Sequence, residues 1–450
     1  MPGLLERLKL RRRKQPAPPT TPPPTYTAPS DVGRATKIAE AVRDLKLDAT
    51  RDNLILAGTL NQRTKAIVDM AAGNNYDGAD AALVTLTNEL KEEKRLLGLE
   101  KTKYDNDKKA LEDGDLKQVP AKAPPGLVKA FGAITTAKAA LPADPKTLAD
   151  YKDANAKLVT LKGKVAAYLA LAAFVKTLKD GGMSDDEAAK GVDYAEKIQA
   201  GEKCDEAAAI KMAKTALTLS KEGFTEDRAL LGAKVNQALL DDGMDEEKAG
   251  VVTRITKSGG SATVEDTKTV ARGMKVLPTK ILKVMKANGS TIVACQGPMT
   301  DYRTELKGVV PRGWPPGSTW DSVPGVHMGG TKEVVIGTMD DGAGKRKVPG
   351  PGEGPAKHGA YNLIAHEGGH AFDNDGAPAK NTTPAYRTAR TKDITDGKMV
   401  DPKDSYFLQA GNAGLEETFA ECCARHFGND PKMATDWPAL KAFWTSNPWS

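Results

Sequence analysis

Cysteine is scarce in this chain of 450 residues, which has only four. A cysteine-based zinc ribbon needs paired C-x-x-C spacings, and none of the four stands in one. The adjacent pair, Cys422 and Cys423, cannot readily bridge itself on a helix. We therefore expect these two, together with Cys204 and Cys295, to be reduced and partly buried, which argues against a zinc ribbon.

Long apolar segments are also missing. The run at 165–175 holds eleven apolar residues between Lys164 and Lys176, which is too short to span a bilayer and is typical of a buried helix. The basic start MPGLLERLKLRRRK is not followed by an apolar stretch of about 7 to 15 residues, so it does not have the form of a secretory signal. We expect no transmembrane segment, and either export by a dedicated non-Sec system or a cytoplasmic location.

Positive charge is in small excess: the net charge is +6, which is modest for a chain of this length. Basic residues concentrate at the start and are followed by a run of prolines. Residues 1–33 are therefore predicted to form a disordered basic and proline-rich arm with a polyproline-II-like linker. We interpret the arm as a solvated tail; docking on a membrane or nucleic acid and an address for export machinery are the alternatives. Nucleic acid is not an expected partner of the protein.

Strand signals are almost absent from residues 34–272, which are rich in Ala, Leu, Lys and Glu with helical periodicity. The first part, 34–175, is predicted to be a helical region. One of its apolar stripes is marked by Leu83, Leu86, Leu90 and Leu97, in a long segment that is closed by Gly114 and Pro120.

Glycines divide residues 176–272 at intervals of about 20 residues. Gly182, Gly223 and Gly243 are each followed by an apolar residue and a capping residue, and Gly201 repeats this more loosely. In this pattern a glycine ends one helix and a polar cap begins the next. We predict an array of helical hairpins, which serves either to bind or position a partner or simply as a plain helical domain.

One later segment has the spacing of a catalytic metal site. In YNLIAHEGGHAFD, His366 and His370 stand four residues apart, and Glu367 lies between them. On an α-helix this spacing puts both imidazoles on one face, where they can share one Zn²⁺ with Glu367 beside it. A motif this short also arises by chance, and a catalytic zinc site needs a third protein ligand.

The third ligand is expected downstream. Asp373 would lie about 10 Å along the helix axis from His366, so we interpret it as a supporting residue behind the ligands or as the end of the helix. A second predicted helix, at 414–427, offers Glu417 and Glu421 four residues apart on one face. A solvated acidic face is the alternative, but the pair lies near the apolar stripe and no lysine follows at i+4.

The two glycines inside the metal motif weaken its helix. Gly368 and Gly369 each cost about 1 kcal/mol relative to Ala. This suggests that something packs closely against them, either a substrate backbone or the glutamate helix. A merely tolerated weakness is the alternative.

These motifs resemble a known family. HEGGHAFD followed by E-E-T-F-A-E is similar to the anthrax lethal factor-type gluzincin metallopeptidases, in which H-E-x-G-H is completed by the first Glu of an E-x-F-A-E motif. The resemblance covers roughly Leu277–Phe427. It implies that Glu417 is the third zinc ligand and that Glu421 holds a ligand imidazole. It also implies that Tyr406, separated from the glutamates by the connection FLQAGNAGLE, stabilises the oxyanion.

The predicted fold class is α+β, with a zincin-like peptidase domain at 273–450 that follows a largely all-α region in the sequence. Strand runs are predicted at Ser290–Cys295 and Lys332–Gly337, and the second is expected to be the edge strand that borders the cleft. The composition changes near Arg272, which places the domain boundary there. A fragment that begins at Gly273 is therefore expected to fold and bind zinc alone.

The remaining histidines are not assigned to the metal. His327 and His358 lie in Gly/Pro-rich loops, where either would line a cleft. His426 lies about half a turn away from the face of Glu417. It is expected to be a core or surface histidine.

The expected function is that of an endopeptidase that holds one Zn²⁺ and acts on a protein or peptide substrate. The protein is expected to be a toxin-like exported effector, whose helical half meets a delivery partner or export machinery. In such an enzyme Glu367 takes a proton from water and returns it to the leaving amine. The alternative is a structural or export-cargo helical protein with a vestigial zincin domain. The complete set of His366, His370, Glu367 and Glu417 favours the enzyme.

Overall fold

The computed structural model describes residues 29–311, 317–353, 359–400 and 404–446. Within these ranges the protein has sixteen α-helices and one five-stranded sheet, which confirms the predicted α+β class. The arm predicted at 1–33 lies outside the described residues as far as position 28, and the first helix already begins at Pro29. The described chain forms two compact units, which divide within α4 and α5.

The first unit is helical and contains the described residues up to Val119 together with Gly132–Ala166. Its elements are α1 (Pro29–Arg51), α2 (Leu60–Ala72), α3 (Tyr76–Asp113) and parts of α4 (Val128–Ala139) and α5 (Leu148–Asp180). The predicted stripe on α3 faces the core of this unit: Leu86 and Leu90 are buried, and Leu83 and Leu97 pack against them. Helix α3 ends immediately before Gly114, as predicted.

One of the described helices, α5, is long and apolar enough to cross a membrane by length and composition. Core helices of soluble proteins share this property. Buried residues recur along one side of α5, at Leu158, Leu161, Val165, Tyr168 and Leu171. This spacing of three and four residues is that of a helix with one apolar face.

The second unit, which contains Pro120–Phe131 and the described residues from Ala167 onward, begins its helical hairpins after α5. They are α6 (Asp185–Glu202), α7 (Glu206–Lys221), α8 (Glu226–Asp241) and α9 (Glu246–Ile255). Gly182, Gly223 and Gly243 have φ angles of 84°, 91° and 77°. After each, the next amide N–H donates to the carbonyl five residues earlier, which is the predicted glycine-terminated helix end. The helix end predicted at Gly201 is wrong, because Gly201 lies inside α6. Lys203, with φ of 51°, takes the left-handed position at the end of this helix.

The sheet also lies in the second unit. Its strands are β1 (Thr256–Ser258), β2 (Thr291–Gln296), β3 (Gly325–Met328), β4 (Glu333–Asp340) and β5 (Arg346–Lys347). The order is β1-β2-β4-β3, with β5 beside the end of β4. Strands β1, β2 and β4 are parallel, whereas β3 and β5 run antiparallel to β4.

The two predicted strand runs are confirmed as β2 and β4. The prediction that the second run is the edge strand is wrong, because β4 pairs with β2 on one side and with β3 on the other. The first six residues of β4 are all buried, as is typical of a strand covered on both faces. Strand β3 occupies the edge, and a Cβ atom on its Gly325 would lie 3.0 Å from the side chain of Leu363.

Seven helices complete the second unit: α10 (Val264–Gly273), α11 (Thr279–Ala287), α12 (Leu363–Asn374), α13 (Pro384–Thr395), α14 (Asn412–Phe427), α15 (Met433–Asp436) and α16 (Pro438–Ser446). Helix α14 packs on α12, and α16 packs on α13 and α14. Helix α12 also lies against the edge strand β3.

A single apolar core unites residues on both sides of Arg272. It contains side chains of α8 and α9, such as Leu239 and Val252, together with side chains of later elements, such as Ile281 and Phe372. Strand β1 also precedes Arg272 and pairs with β2. The boundary predicted between 176–272 and 273–450 therefore lies inside this core, since the elements that follow bury the apolar faces of α8 and α9.

A chain that begins at Gly273 is consequently expected not to fold alone. Each buried aliphatic side chain that loses its cover costs about 1.5–3 kcal/mol, against a total stability of about 5–15 kcal/mol. A chain that begins at Pro120 keeps the whole second unit and should unfold in one cooperative thermal transition, measured by circular dichroism. If the chain that begins at Gly273 unfolded cooperatively at the same temperature as the longer chain, the domain boundary would lie near Arg272.

Candidate metal centre

Helix α12 presents the two histidines of the motif. It begins after Asn362, whose side-chain oxygen accepts a hydrogen bond from the N–H of Ala365 at 2.9 Å, as capping residues do. His366 and His370 lie one turn apart on this helix. Their ring centroids are 5.0 Å apart and the rings are nearly perpendicular, at 79°.

Helix α14 places a carboxylate oxygen between the two imidazoles. Oε2 of Glu417 lies 3.3 Å from Nε2 of His366 and 3.3 Å from Nε2 of His370. One ligand atom from each of the three residues lies within 4.8 Å of the other two. The three predicted metal ligands are thus brought together, although Glu417 follows His370 by 417 − 370 = 47 positions in the sequence.

The donor set fits a zinc ion. Oε2 of Glu417 is buried, and no described residue donates a hydrogen bond to it. A buried carboxylate oxygen without a partner is unfavourable, whereas a bound cation would satisfy it. Two imidazole nitrogens and one carboxylate oxygen are a common protein contribution to a catalytic zinc site, in which the fourth position stays open.

The charges around the site also favour a cation. Burial disfavours the charged form of His366, but Glu417 and Glu421 outweigh this and raise its pKa well above 6.5. Burial would likewise raise the pKa of Glu417, yet His366 and His370 hold that pKa well below its usual range. Glu417 is therefore ionised at neutral pH, and a metal ion would displace any proton on the imidazole nitrogens that face it.

Glu421 fixes the ring of His366. Its Oε2 is 3.0 Å from Nδ1 of His366, and its Oε1 accepts from the N–H of Tyr361 at 3.1 Å. Because a carboxylate can only accept, Nδ1 of His366 carries the hydrogen, and in the neutral ring Nε2 presents a lone pair toward Glu417. Only 6% of the Glu421 side chain is exposed, so α14 does not present a solvated acidic face here.

The close approach of α12 and α14 depends on Gly369. A Cβ atom there would lie 2.9 Å from Cα of Ala420 and 3.0 Å from Cβ of Cys423. Carbon atoms normally pack at about 3.5–4.0 Å. The glutamate helix is therefore the close neighbour that the glycine predicts, whereas Gly368 faces the side chain of Leu277.

Glu367 lies on α12 beside the ligands. It is 9% exposed, and its carboxylate forms no hydrogen bond with the residues that the structure describes. A Cβ atom on Gly325 of the edge strand would lie 3.3 Å from its Cγ. The carboxylate is thus available to a water molecule at the border between the metal ligands and the edge of the sheet.

Tyr406 reaches the same site. Although 45% of the residue is exposed, the pKa of its phenol is raised well above 10. Its hydroxyl is shielded from water, and the carboxylates of Glu417 and Glu367 lie close enough to disfavour the phenolate. At neutral pH the phenol therefore keeps its proton and remains a hydrogen-bond donor.

The long connection between Tyr406 and Glu417 folds back onto α14. The carbonyl oxygen of Phe407 accepts hydrogen bonds from Oγ1 of Thr418 at 3.1 Å and from the guanidinium of Arg390 at 2.5 Å. The bond from Thr418 ties the turn that carries Tyr406 to the helix that carries Glu417, and the bond from Arg390 ties it to α13. The length of the connection consequently does not remove the phenol from the site.

Asp373 does not contact a ligand imidazole through a hydrogen bond. It is fully buried and accepts from the backbone N–H of Asn381 at 2.7 Å and from the Asn381 side-chain amide. Burial raises the pKa of Asp373, while Asn381 opposes the rise. Of the two interpretations of this residue, the structure matches the end of the helix, where Asp373 anchors the turn that follows.

Two residues near the site, His327 and Asp375, were not assigned a role from the sequence. The ring of His327 lies nearly parallel to that of His370, at 8°, with 6.3 Å between centroids. Nε2 of His327 is 2.8 Å from Oδ1 of Asp375. No local spacing links these positions, because only the pairing of β3 at the sheet edge brings residue 327 to α12.

Of the described residues, His426 and the cysteines are outside the cluster. His426 is half-buried and packs against Phe427 and Trp444, and burial together with Lys441 lowers its pKa to about 4. His358 lies outside the described residues. All four cysteines are free; three are buried and Cys204 is half-buried, as predicted.

Residues 260–435 match the model of the family described as anthrax toxin lethal factor, N- and C-terminal domain. The C-terminal half is lethal factor-like. This confirms the resemblance stated from the sequence. At the level of the family, the match supports a metallo-endopeptidase, and a peptidase family implies a protein or peptide substrate.

One solved structure with similarity to the chain is that of the Pro-Pro endopeptidase PPEP-2 from Paenibacillus alvei. The two share 23% sequence identity with a TM-score of 0.34, over 43% of this chain and 98% of that chain. No curated protein matches the chain.

The roles of the three glutamates on α14 can be separated by substitution. Glu417→Ala removes a ligand and is expected to abolish Zn²⁺ binding. Glu421→Ala frees the ring of His366 without removing a ligand and should weaken binding about 10- to 100-fold, as changes behind a ligand typically do. Glu416→Ala is the matched control from the same helix and should bind like the parent chain.

The affinities are measured by competition with a chromophoric chelator, after circular dichroism has shown that each variant is folded. Equal affinity in all three variants would show that the third ligand lies elsewhere.

Proposed function

We propose that this chain is a zinc-dependent endopeptidase that hydrolyses peptide bonds of a protein substrate. The observation that carries the proposal is the convergence of His366, His370 and Glu417 on one point, with an unengaged Glu367 and the phenol of Tyr406 beside them. Each of these groups has a part in hydrolysing an amide. The match of residues 260–435 to a metal-dependent endopeptidase family supports the same reaction.

Within this reaction, a bound Zn²⁺ would supply Lewis-acid chemistry at the scissile carbonyl. Glu367 takes the proton of the attacking water and passes it to the leaving amine. Tyr406 donates a hydrogen bond to the carbonyl oxygen as negative charge develops on it. Glu421 keeps His366 in the tautomer that a metal ligand requires.

The position of the edge strand supports cleavage within a chain rather than at its end. Strand β3 pairs with β4 on one side, and its other side is not paired within the described residues. Because Gly325 lies beside Glu367, an extended substrate that adds to β3 would pass close to the general base. Strand addition uses backbone hydrogen bonds and requires no free terminus, so both ends of the substrate can continue past the site.

We also propose that the protein acts as a toxin-like effector after export by a dedicated non-Sec system. The description of the matching family as a toxin supports this role, and the helical half would then meet the delivery or export partner. A cytoplasmic peptidase is the alternative. Recovery of the chain from the medium of intact source cells would support export, and its retention inside them would contradict it.

Glu367→Gln tests the chemistry directly. The substitution keeps the size of the side chain but removes its capacity to accept a proton. We expect Zn²⁺ affinity equal to that of the parent and a rate of peptide hydrolysis lower by about 10²- to 10⁴-fold. The measurement is cleavage of a peptide library by the full chain, with Glu416→Gln as the matched control.

Full activity of Glu367→Gln would contradict the mechanism. A parent chain that binds zinc but cleaves no peptide of the library would instead favour the alternative, a helical structural or export-cargo protein with a vestigial zincin domain.

A further inference from the structure

The two ligand imidazoles are held in different ways. Nδ1 of His366 donates to Glu421 at 3.0 Å, whereas Nδ1 of His370 has no hydrogen-bond partner within the ranges that the structure describes. A histidine that ligates a metal usually donates its second N–H to a carboxylate or a carbonyl, which fixes the plane of the ring. The plane of His370 therefore needs another restraint.

The ring of His327 lies where such a restraint is needed. His327 stands on the edge strand β3, in register with Val334 of β4. Its ring is nearly parallel to that of His370, and the 6.3 Å between centroids is within the range of offset ring pairs. With 6% of its side chain exposed, His327 covers one side of His370 and limits rotation of that ring.

His327 is itself fixed by a buried carboxylate. Nε2 of His327 lies 2.8 Å from Oδ1 of Asp375, and Oγ of Ser290 donates to Oδ2 of Asp375 at 2.5 Å. Since the carboxylate only accepts, His327 is the donor. The Asp375 side chain is 1% exposed, and its backbone N–H caps α12 through the carbonyl of Ala371. The bonds connect the start of β2, the end of α12 and the edge strand.

We propose that His327 is a positioning residue for the metal centre: its ring, held by Asp375, sets the plane of His370 and so the direction of the Nε2 lone pair. This role rests on the metal-binding function proposed above. His366 and His370 are then oriented by two separate devices, a carboxylate hydrogen bond from α14 and a stacked ring from the edge of the sheet.

The test compares three variants of the full chain. His327→Ala removes the ring, and His327→Phe keeps a flat ring but cannot bond to Asp375. His426→Phe is the matched control, at a half-buried histidine that packs on Trp444. Zn²⁺ affinity is measured by chelator competition. The visible absorption of the Co²⁺-loaded chain reports the ligand geometry, which a purely structural residue would leave unchanged in a folded variant.

We expect His327→Ala to bind Zn²⁺ about 10- to 100-fold more weakly and to shift the Co²⁺ bands. The Zn²⁺ affinity of His327→Phe should lie between those of His327→Ala and the parent, and the affinity of His426→Phe should equal that of the parent. Parent affinity and an unchanged Co²⁺ spectrum in His327→Phe overturn the proposal, even where His327→Ala does not fold. A parent chain that binds neither Zn²⁺ nor Co²⁺ would instead contradict the proposed function itself.

Discussion

The close approach of α12 and α14 is the constraint on which the metal centre depends. Gly369 allows the backbone of Ala420 to come nearer than any side chain at that position would permit. Glu417 lies one turn before this contact and Glu421 lies immediately after it, so a single helix crossing brings both carboxylates to His366, at 3.3 and 3.0 Å. A shift of about 1 Å between the helices would break the hydrogen bond between Glu421 and His366 and move the ligand oxygen of Glu417 away from the imidazoles.

The core behind these helices extends further back along the chain than composition suggests. Side chains of α8 and α9 pack in the same core as those of α12 and α14, and β1 forms one border of the sheet. At least the last hairpin of the array is therefore part of what supports the metal helix. If the array binds a partner, the partner would contact surfaces of α6 to α9 that are not packed in this core.

The parts of the site that were predictable are those encoded by local spacing. His366 and His370 share a face because they are four residues apart on a helix, and the same holds for Glu417 and Glu421. Glycine-terminated helix ends are equally local. By contrast, the edge position of β3, the stacking of His327 on His370 and the core shared across Arg272 depend on strand order and on packing between distant segments. A change in composition marks where one kind of element gives way to another, but it does not show which faces bury each other.

The central claim is that two imidazoles and one carboxylate hold a single zinc ion between α12 and α14. X-ray absorption at the zinc edge of the fully loaded chain tests it most directly. We expect one Zn²⁺ per chain, nitrogen and oxygen ligands at about 2.0–2.2 Å, and outer-shell scattering from two imidazole rings. A sulfur ligand at about 2.3 Å, from Cys422 or Cys423 on the same helix, or a chain that retains no zinc, would contradict it.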